Sequence, residues 1–334
     1  MADDDLAERL LELSDVITPM AIRVAATLRL ADRIAEGRTT VPALAEATGT
    51  QPDALGRLMR HLVTAGLLVE RPDGEFALTG LGAKLRDAVG LRAWLDVRGA
   101  VGRADLSFVR LLDVVTTGKP AYPEVYGRGF WDDLAGDPAL AGSFDALMAG
   151  QIHAEAAAIL AGYDWGSVGH VVDVGGGNGA LLTALATAYP ELRGTLVDLP
   201  GPAQAAARTF AEAGVADRCR VAPGNFFDPL PAGGDVYVLS SIIHDWDDER
   251  SAAILRRCAA AAGSGGRVLL VEGLVDAGRD QLPRSPMDLR MLTFIGGRER
   301  SAAQLAALGA TAGLTQRSVR TISPYRSLVE FTVD

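Results

Sequence analysis

Asp173 stands two residues before a run of glycines, in Asp173-Val-Gly-Gly-Gly-Asn-Gly179, and that spacing carries the first chemical information in the chain. A carboxylate at the edge of bare backbone faces whatever the backbone holds. Beside a pyrophosphate its charge repels; beside an ammonium or a sulfonium it attracts. Further along, Asp198, Asn225, Ser240, His244 and Glu272 each close or follow an apolar run. Carboxylates, a hydroxyl and one imidazole gathered at one place could bind a ligand that carries positive charge and could move a proton.

The elements around them explain how they would gather. Val171, Val172 and Val174 predict a short buried strand that runs straight into the glycines. From Leu181 the apolar spacing turns helical, and Pro190 closes it. Strand, glycine turn and helix bring a nucleotide-like ligand against open backbone and a helix N-terminus. Gly175, Gly177 and Ala180 satisfy the dinucleotide pattern, with Asp198 at the distance that suits ribose hydroxyls; a plain tight turn is the bland alternative. Asp173 tips the balance away from a phosphate-bearing dinucleotide and toward S-adenosylmethionine, which has both cations and no phosphate. Strands are expected at 194–199, 220–221, 235–243, 267–271 and 328–333, the last pairing with a partner near 316–322. The order predicts an α/β, Rossmann-like open sheet with ligands at the carboxyl ends of its strands.

Composition bounds the rest. With 334 residues the chain can build more than one core, and the reading divides it into 1–90, 91–162 and 163–334. No apolar run approaches the ~20 residues of a membrane span. The acidic start is unlike a signal peptide. Cys219 and Cys258 are the two cysteines, without a CxxC, and neither a disulfide framework nor a metal site is expected. Lysine occurs only at Lys84 and Lys119 beside abundant arginine; a cytoplasmic bacterial protein is the expectation.

Residues 6–36 show helical apolar spacing, and residues 40–62 predict two short helices about a glycine turn. With a hairpin wing over 67–78 this is an N-terminal winged helix, otherwise all-α. Its second helix offers only Arg57, Arg60 and His61 as bases, and the chain has net charge −10. Nucleic-acid binding needs a concentrated positive face, so dimerisation is the better reading, with a homodimer expected. Segment 88–160 is helical with glycine breaks; its aromatics and Met148 read as core unless other motifs say otherwise.

Other motifs do. Asp173–Gly179, Gly224-Asn-Phe-Phe-Asp-Pro-Leu-Pro231, Ile243-His-Asp-Trp-Asp-Asp248, Met287-Asp-Leu-Arg-Met-Leu292 and Gly296-Gly-Arg-Glu-Arg300 occur in that order. Together they resemble the S-adenosylmethionine-dependent O-methyltransferases of the plant caffeate and bacterial aromatic-polyketide type, nearest to naphthoate methyltransferases of enediyne biosynthesis. The resemblance spans essentially the whole chain. It implies that Gly175 and Gly177 approach the methionine part of the cofactor with Asp173 near its amino group. Asp198 would hold the ribose, Phe226 cover the adenine, and Ser240 add a polar contact. Asn225 stands where the family usually has Asp; its side-chain oxygen would still accept from the adenine amine.

For catalysis the resemblance points to His244 as general base, flanked by Glu272 and Glu299, one of which would fix the imidazole tautomer. A phenol of pKa ~10 is a poor nucleophile until its proton leaves, and an imidazole of unperturbed pKa ~6.5 is largely neutral at pH 7 and can take it. Asp245, Asp247 and Asp248 are read as helix-start acids. Phe144, Met148, Asp288 and Met291 match the substrate pocket, with a small aromatic substrate expected. Arg23, Arg98, Arg290 and Arg298 are candidates for a substrate carboxylate. Diverged chemistry such as hydroxylation, and a ligand-sensing regulator, are the alternatives; the complete His244–Glu272–Glu299 set argues against both.

Overall fold

The computed structural model describes residues 3–276 and 285–334. It divides into two compact units, Met1–Leu106 and Ser107–Asp334. The boundary therefore lies beyond residue 90, and local chemistry explains why. Arg92 pairs with Asp87 and, at 2.8 Å, with Asp96, while the backbone N–H of Val97 donates to Thr27 Oγ1 at 2.9 Å. The Val97 bond, with Arg92 also donating to the Ala26 carbonyl at 3.5 Å, ties residues 92–97 to the helix Ile17–Thr27. Of the segment 91–162, the part from Ser107 onward falls in the second unit.

In the first unit, helices Asp3–Leu13, Ile17–Thr27 and Leu30–Ala35 precede Val41–Thr48 and Pro52–Thr64. The Thr40 hydroxyl caps the fourth helix, Gly49 ends it in a left-handed conformation, and Pro52 opens the fifth. Strands β1 (Leu68–Glu70) and β2 (Phe76–Leu78) then pair antiparallel as the wing. Leu44, Leu55, Met59, Leu62 and Phe76 form the core of this unit. The second helix of the motif carries the bases noted in the sequence. Arg57 is paired with Asp53, and His61 lies 3.1 Å from the Thr18 hydroxyl.

The second unit is built on β3 (His170–Val174), β4 (Arg193–Asp198), β5 (Cys219–Pro223), β6 (Val236–Ser240), β7 (Arg267–Glu272), β8 (Leu314–Ser323) and β9 (Arg326–Val333). They form one sheet in the order β5-β4-β3-β6-β7-β9-β8, with β9 antiparallel to β7 and β8 antiparallel to β9. Alternation sends Val172, Tyr237 and Leu239 to one core and Val171, Val236 and Val238 to another, so both faces are covered. Strand β6 stops at Ser240, short of the expected residue 243. Ser241 turns left-handed (φ 57°), and Ile243–Asp245 form a single 3₁₀ turn. Among the described residues no helix is long and apolar enough to cross a membrane.

Candidate active site

The carboxyl ends of β3, β4, β6 and β7 converge on one group of polar side chains, as expected for an open parallel sheet. Gly175, Gly177 and Gly179 all have positive φ, which only glycine adopts without strain. A Cβ on Gly175 would sit 2.5 Å from Ile242, whereas one on Gly177 would meet nothing within 4 Å. The loop is thus wedged on one side and open on the other. Asp198 braces it, its carboxylate accepting from the N–H of Gly177 at 2.8 Å and of Leu199 at 2.7 Å. Phe226 lies against Gly175 and meets Phe227 and Trp246 edge-on, with centroids 5.1 and 5.9 Å apart. The Asn225 side-chain oxygen, expected for adenine, accepts from the Phe227 N–H at 3.0 Å and so also shapes this turn.

Electrostatically this end is prepared for a cation. Asp173 is 1% exposed; burial, with the Asp198 charge adding to it, pushes its carboxyl up to about 7. Burial also raises Asp198 against the two N–H bonds that favour its ionised form. A third acid, Asp145 on the helix Pro138–Gly162, is raised by burial and by Asp198. Sequence reasoning missed it because it sits between Phe144 and Met148 in a helix without chemical spacing. Asp173 Oδ2 and Ser240 Oγ are buried without a hydrogen-bond partner among the described residues. Buried polar atoms without partners and reluctant carboxylates are costly, and a ligand bearing positive charge and donors relieves them. The residues fit the methionine end of S-adenosylmethionine.

Beside them, a braced loop carries His244. Its Nδ1 lies 3.0 Å from Glu299 Oε1, so the ring N–H donates there and Nε2 is left toward Asp245, 3.4 Å away. Glu299 is therefore the acid that fixes the tautomer. Glu272 instead clamps the loop, its Oε1 accepting from the N–H of Ile242 at 3.0 Å and of Ile243 at 2.9 Å. Arg300, 3% exposed, donates to the carbonyls of Ile243 and Trp246 and to Asp248. Gly297 packs so closely that a Cβ would lie 2.2 Å from the His244 carbonyl. Asp288, expected in the substrate pocket, accepts from the Glu299 N–H at 2.8 Å and steadies that acid.

Two expectations change here. Asp247 caps the helix Asp248–Ala262 as expected, but Asp245 starts no helix and faces the imidazole. Burial pushes Asp245 up to about 7, with His244 opposing and the charges of Glu272 and Glu299 adding. Burial pulls His244 down, yet Asp245, Glu272 and Glu299 together push it up to about 9. The imidazole of the ligand-free chain is thus a cation at neutral pH, not the neutral base anticipated from its unperturbed value.

An aromatic wall adjoins. Phe130 meets Phe144 edge-on at 5.7 Å and Phe294 in a stack at 6.4 Å, and Trp131 meets Phe144 at 5.6 Å. Met291 is buried on the same helix as Phe294, while Met148 is half-buried on the helix of Phe144. Trp131 Nε1 and Thr293 Oγ1 are buried without partners among the described residues, two donors hidden in the sequence because Trp and Thr read as core. Of the arginines considered, Arg23 is engaged by Asp105 and Arg298 is turned toward Asp248 at 3.5 Å.

Residues 108–315 match the O-methyltransferase domain family, and residues 11–85 match the O-methyltransferase dimerisation domain. The chain belongs to the O-methyltransferase family. It is an S-adenosylmethionine-dependent enzyme of that family. It is 54% identical to the 2,7-dihydroxy-5-methyl-1-naphthoate 7-O-methyltransferase of Streptomyces carzinostaticus, over 96% of each chain. It is also 48% identical to aclacinomycin 10-hydroxylase of Streptomyces purpurascens, over 99% of this chain and 91% of that one. A crystal structure of an O-methyltransferase from neocarzinostatin biosynthesis, in complex with S-adenosylmethionine and 2-hydroxy-5-methyl naphthoic acid, superposes with a TM-score of 0.93. That structure is 53% identical and covers 97% of this chain and 98% of its own.

Proposed function

We propose that this enzyme methylates a phenolic hydroxyl of a hydroxynaphthoic acid-type aromatic, with His244 as the base, and that it works as a cytoplasmic homodimer. The observation that carries the reading is the His244–Glu299 pair on a clamped loop, between the cation-ready acids and the aromatic wall. Bound S-adenosylmethionine supplies an electrophilic methyl group on a sulfonium. Asp173, Ser240 and Asp198 are the residues to hold it, with Phe226 along the adenine and Asn225 at its edge.

His244 accepts a phenol proton only as neutral imidazole, so it must first give up the proton that its acids hold on it. A positive charge bound nearby opposes the imidazolium and favours that release. Once the phenol proton is taken at Nε2, Glu299 stabilises the imidazolium through Nδ1, and the excluded water favours a step that annihilates charge. Phe130, Phe144, Phe294, Met148 and Met291 grip a fused ring, and Trp131 Nε1 and Thr293 Oγ1 donate to its oxygen substituents. The dimer reading rests on the matched dimerisation domain and on Leu6, Leu10, Leu13 and Ile17, which are each 48–68% exposed.

The hydroxylase relative keeps a second reading in view, oxygen insertion on a polycyclic aromatic. An assay with methyl-labelled S-adenosylmethionine across hydroxynaphthoic and hydroxybenzoic acids separates the two. Labelled methyl ether from the naphthoic acids is expected. A hydroxylated product with no label transferred to any acid overturns the proposal.

A further inference from the structure

The amino ends of β3, β4 and β5 lie at the opposite edge of the sheet from the methyl-transfer site. Five residues at ~3.3 Å each put His170 roughly 16 Å from the glycine loop. A cavity of about 450 Å³ opens there, lined by His170, Arg193, Asp217, Arg218, Cys219 and Arg220 among others. The connection from β5 to β6, residues 224–235, contains no helix. Its Phe226, Phe227 and Leu230 pack onto the core. The basic residues at the strand starts are left to line the opening.

Their arrangement is built. The Gly233 carbonyl can only accept, so His170 Nδ1 donates to it at 3.0 Å and Nε2 becomes an acceptor. The fully buried Thr195 hydroxyl donates to that Nε2 at 2.9 Å and accepts from Arg220 Nε at 3.1 Å. A one-way chain of hydrogen bonds thus aims Arg220 while leaving both its terminal nitrogens without a partner among the described residues. Arg193 is exposed and makes no side-chain hydrogen bond or ion pair among them. Arg218 is held by the carbonyls of Ala186, Tyr189 and Leu192 at 3.0–3.4 Å, with Asp217 3.8 Å away. Among the lining residues three guanidinium groups against one carboxylate leave a charge of +2, with Asp235 beside them on the Gly169 and His170 N–H groups, in a chain whose net charge is −10.

We propose that this cavity binds the phosphate of a small phosphomonoester, through the terminal nitrogens of Arg193 and Arg220. A phosphomonoester carries about −1.5 to −2 at pH 7, which matches the local excess, and guanidinium forks suit its oxygens. The concave shape and the acidic chain disfavour a nucleic-acid track, which needs an extended positive face. The site is independent of the methylation chemistry.

Inorganic phosphate and adenosine 5′-monophosphate are titrated into the full chain saturated with S-adenosylhomocysteine, at ionic strength held constant with sodium chloride. Calorimetry and the thermal midpoint are read together. Saturable binding by both probes is expected. Equal affinities assign recognition to the phosphate alone, and tighter monophosphate binding assigns it to a nucleoside phosphate. Arg193→Ser, which breaks no described contact, and Arg220→Ser are each expected to weaken binding by roughly fivefold or more, with methyl transfer unchanged. A response that chloride reproduces, or one undiminished in the Arg193→Ser/Arg220→Ser chain, overturns the proposal.

Discussion

The two ends of the same parallel strands carry opposite chemistry. At the carboxyl end, the buried Asp173 and the partly buried Asp198, Asp145 and Asp245 are all carboxylates raised above their ordinary range. At the amino end, Arg193, Arg218 and Arg220 line one cavity with Asp217, and Asp235 is held beside it by the N–H groups of Gly169 and His170. The first end is more stable when a positive charge arrives, the second when a negative one does. Burial makes the difference in strength: the acids are buried or partly buried, where charge is costly, while Arg193 and Arg220 are exposed, where it is not. The acidic end is therefore the one that can alter protonation, and chemistry belongs there.

The largest way to break this contrast is at the imidazole. His244→Ala is expected to lower methyl transfer by roughly 10²–10⁴-fold while leaving cofactor affinity nearly intact, the usual contribution of a positioned base. The deficit should shrink as pH rises or the phenol is made more acidic, because a preformed phenolate needs no base. Wild-type turnover at pH 7 would leave orientation alone driving the reaction.

A smaller effect sharpens it. The Asp173 carboxyl titrates at about 7 when folded, against 3.8 for the ordinary group, so the folded chain binds its proton more tightly than the unfolded chain. Its contribution to ligand-free stability accordingly falls as pH rises from about 4 through about 7. Asp173→Asn should raise the melting temperature of the ligand-free chain by ~3 °C or more at pH 8, and by less at pH 5. The same change should weaken S-adenosylmethionine by roughly tenfold, since a buried charged partner is lost. A variant that is neither stabilised at pH 8 nor impaired in binding would remove Asp173 from the account.

The carboxyl end was legible in the sequence because its information is local. Val171–Gly179 states strand, turn and acid within nine residues, and the loop after β6 announces His244 with its neighbours. What the sequence hides is long-range pairing. Nothing in Glu272 and Glu299 says which grips the ring and which the backbone; that depends on β7 ending under Ile242 and on Asp288 steadying residue 299. Asp145 is hidden in a helix whose apolar residues dominate its pattern. Arg92–Val97 read in the sequence as the start of a new helical segment, although their partners lie far back at Ala26 and Thr27. The basic amino end escaped notice because Arg193 opens one strand and Arg218 and Arg220 stand at the start of the next, twenty-odd residues on, with no motif to join them.

The central claim is that buried carboxylates hold a proton on His244 and that a bound cation releases it. An NMR titration of the imidazoles, with His244 assigned by its loss in His244→Asn, tests this directly. The ligand-free chain should show His244 titrating near 9. Saturation with cationic S-adenosylmethionine should move it downward, and the neutral thioether of S-adenosylhomocysteine should move it far less. A His244 that titrates near ~6.5 in all three states, the unperturbed value, would contradict the account.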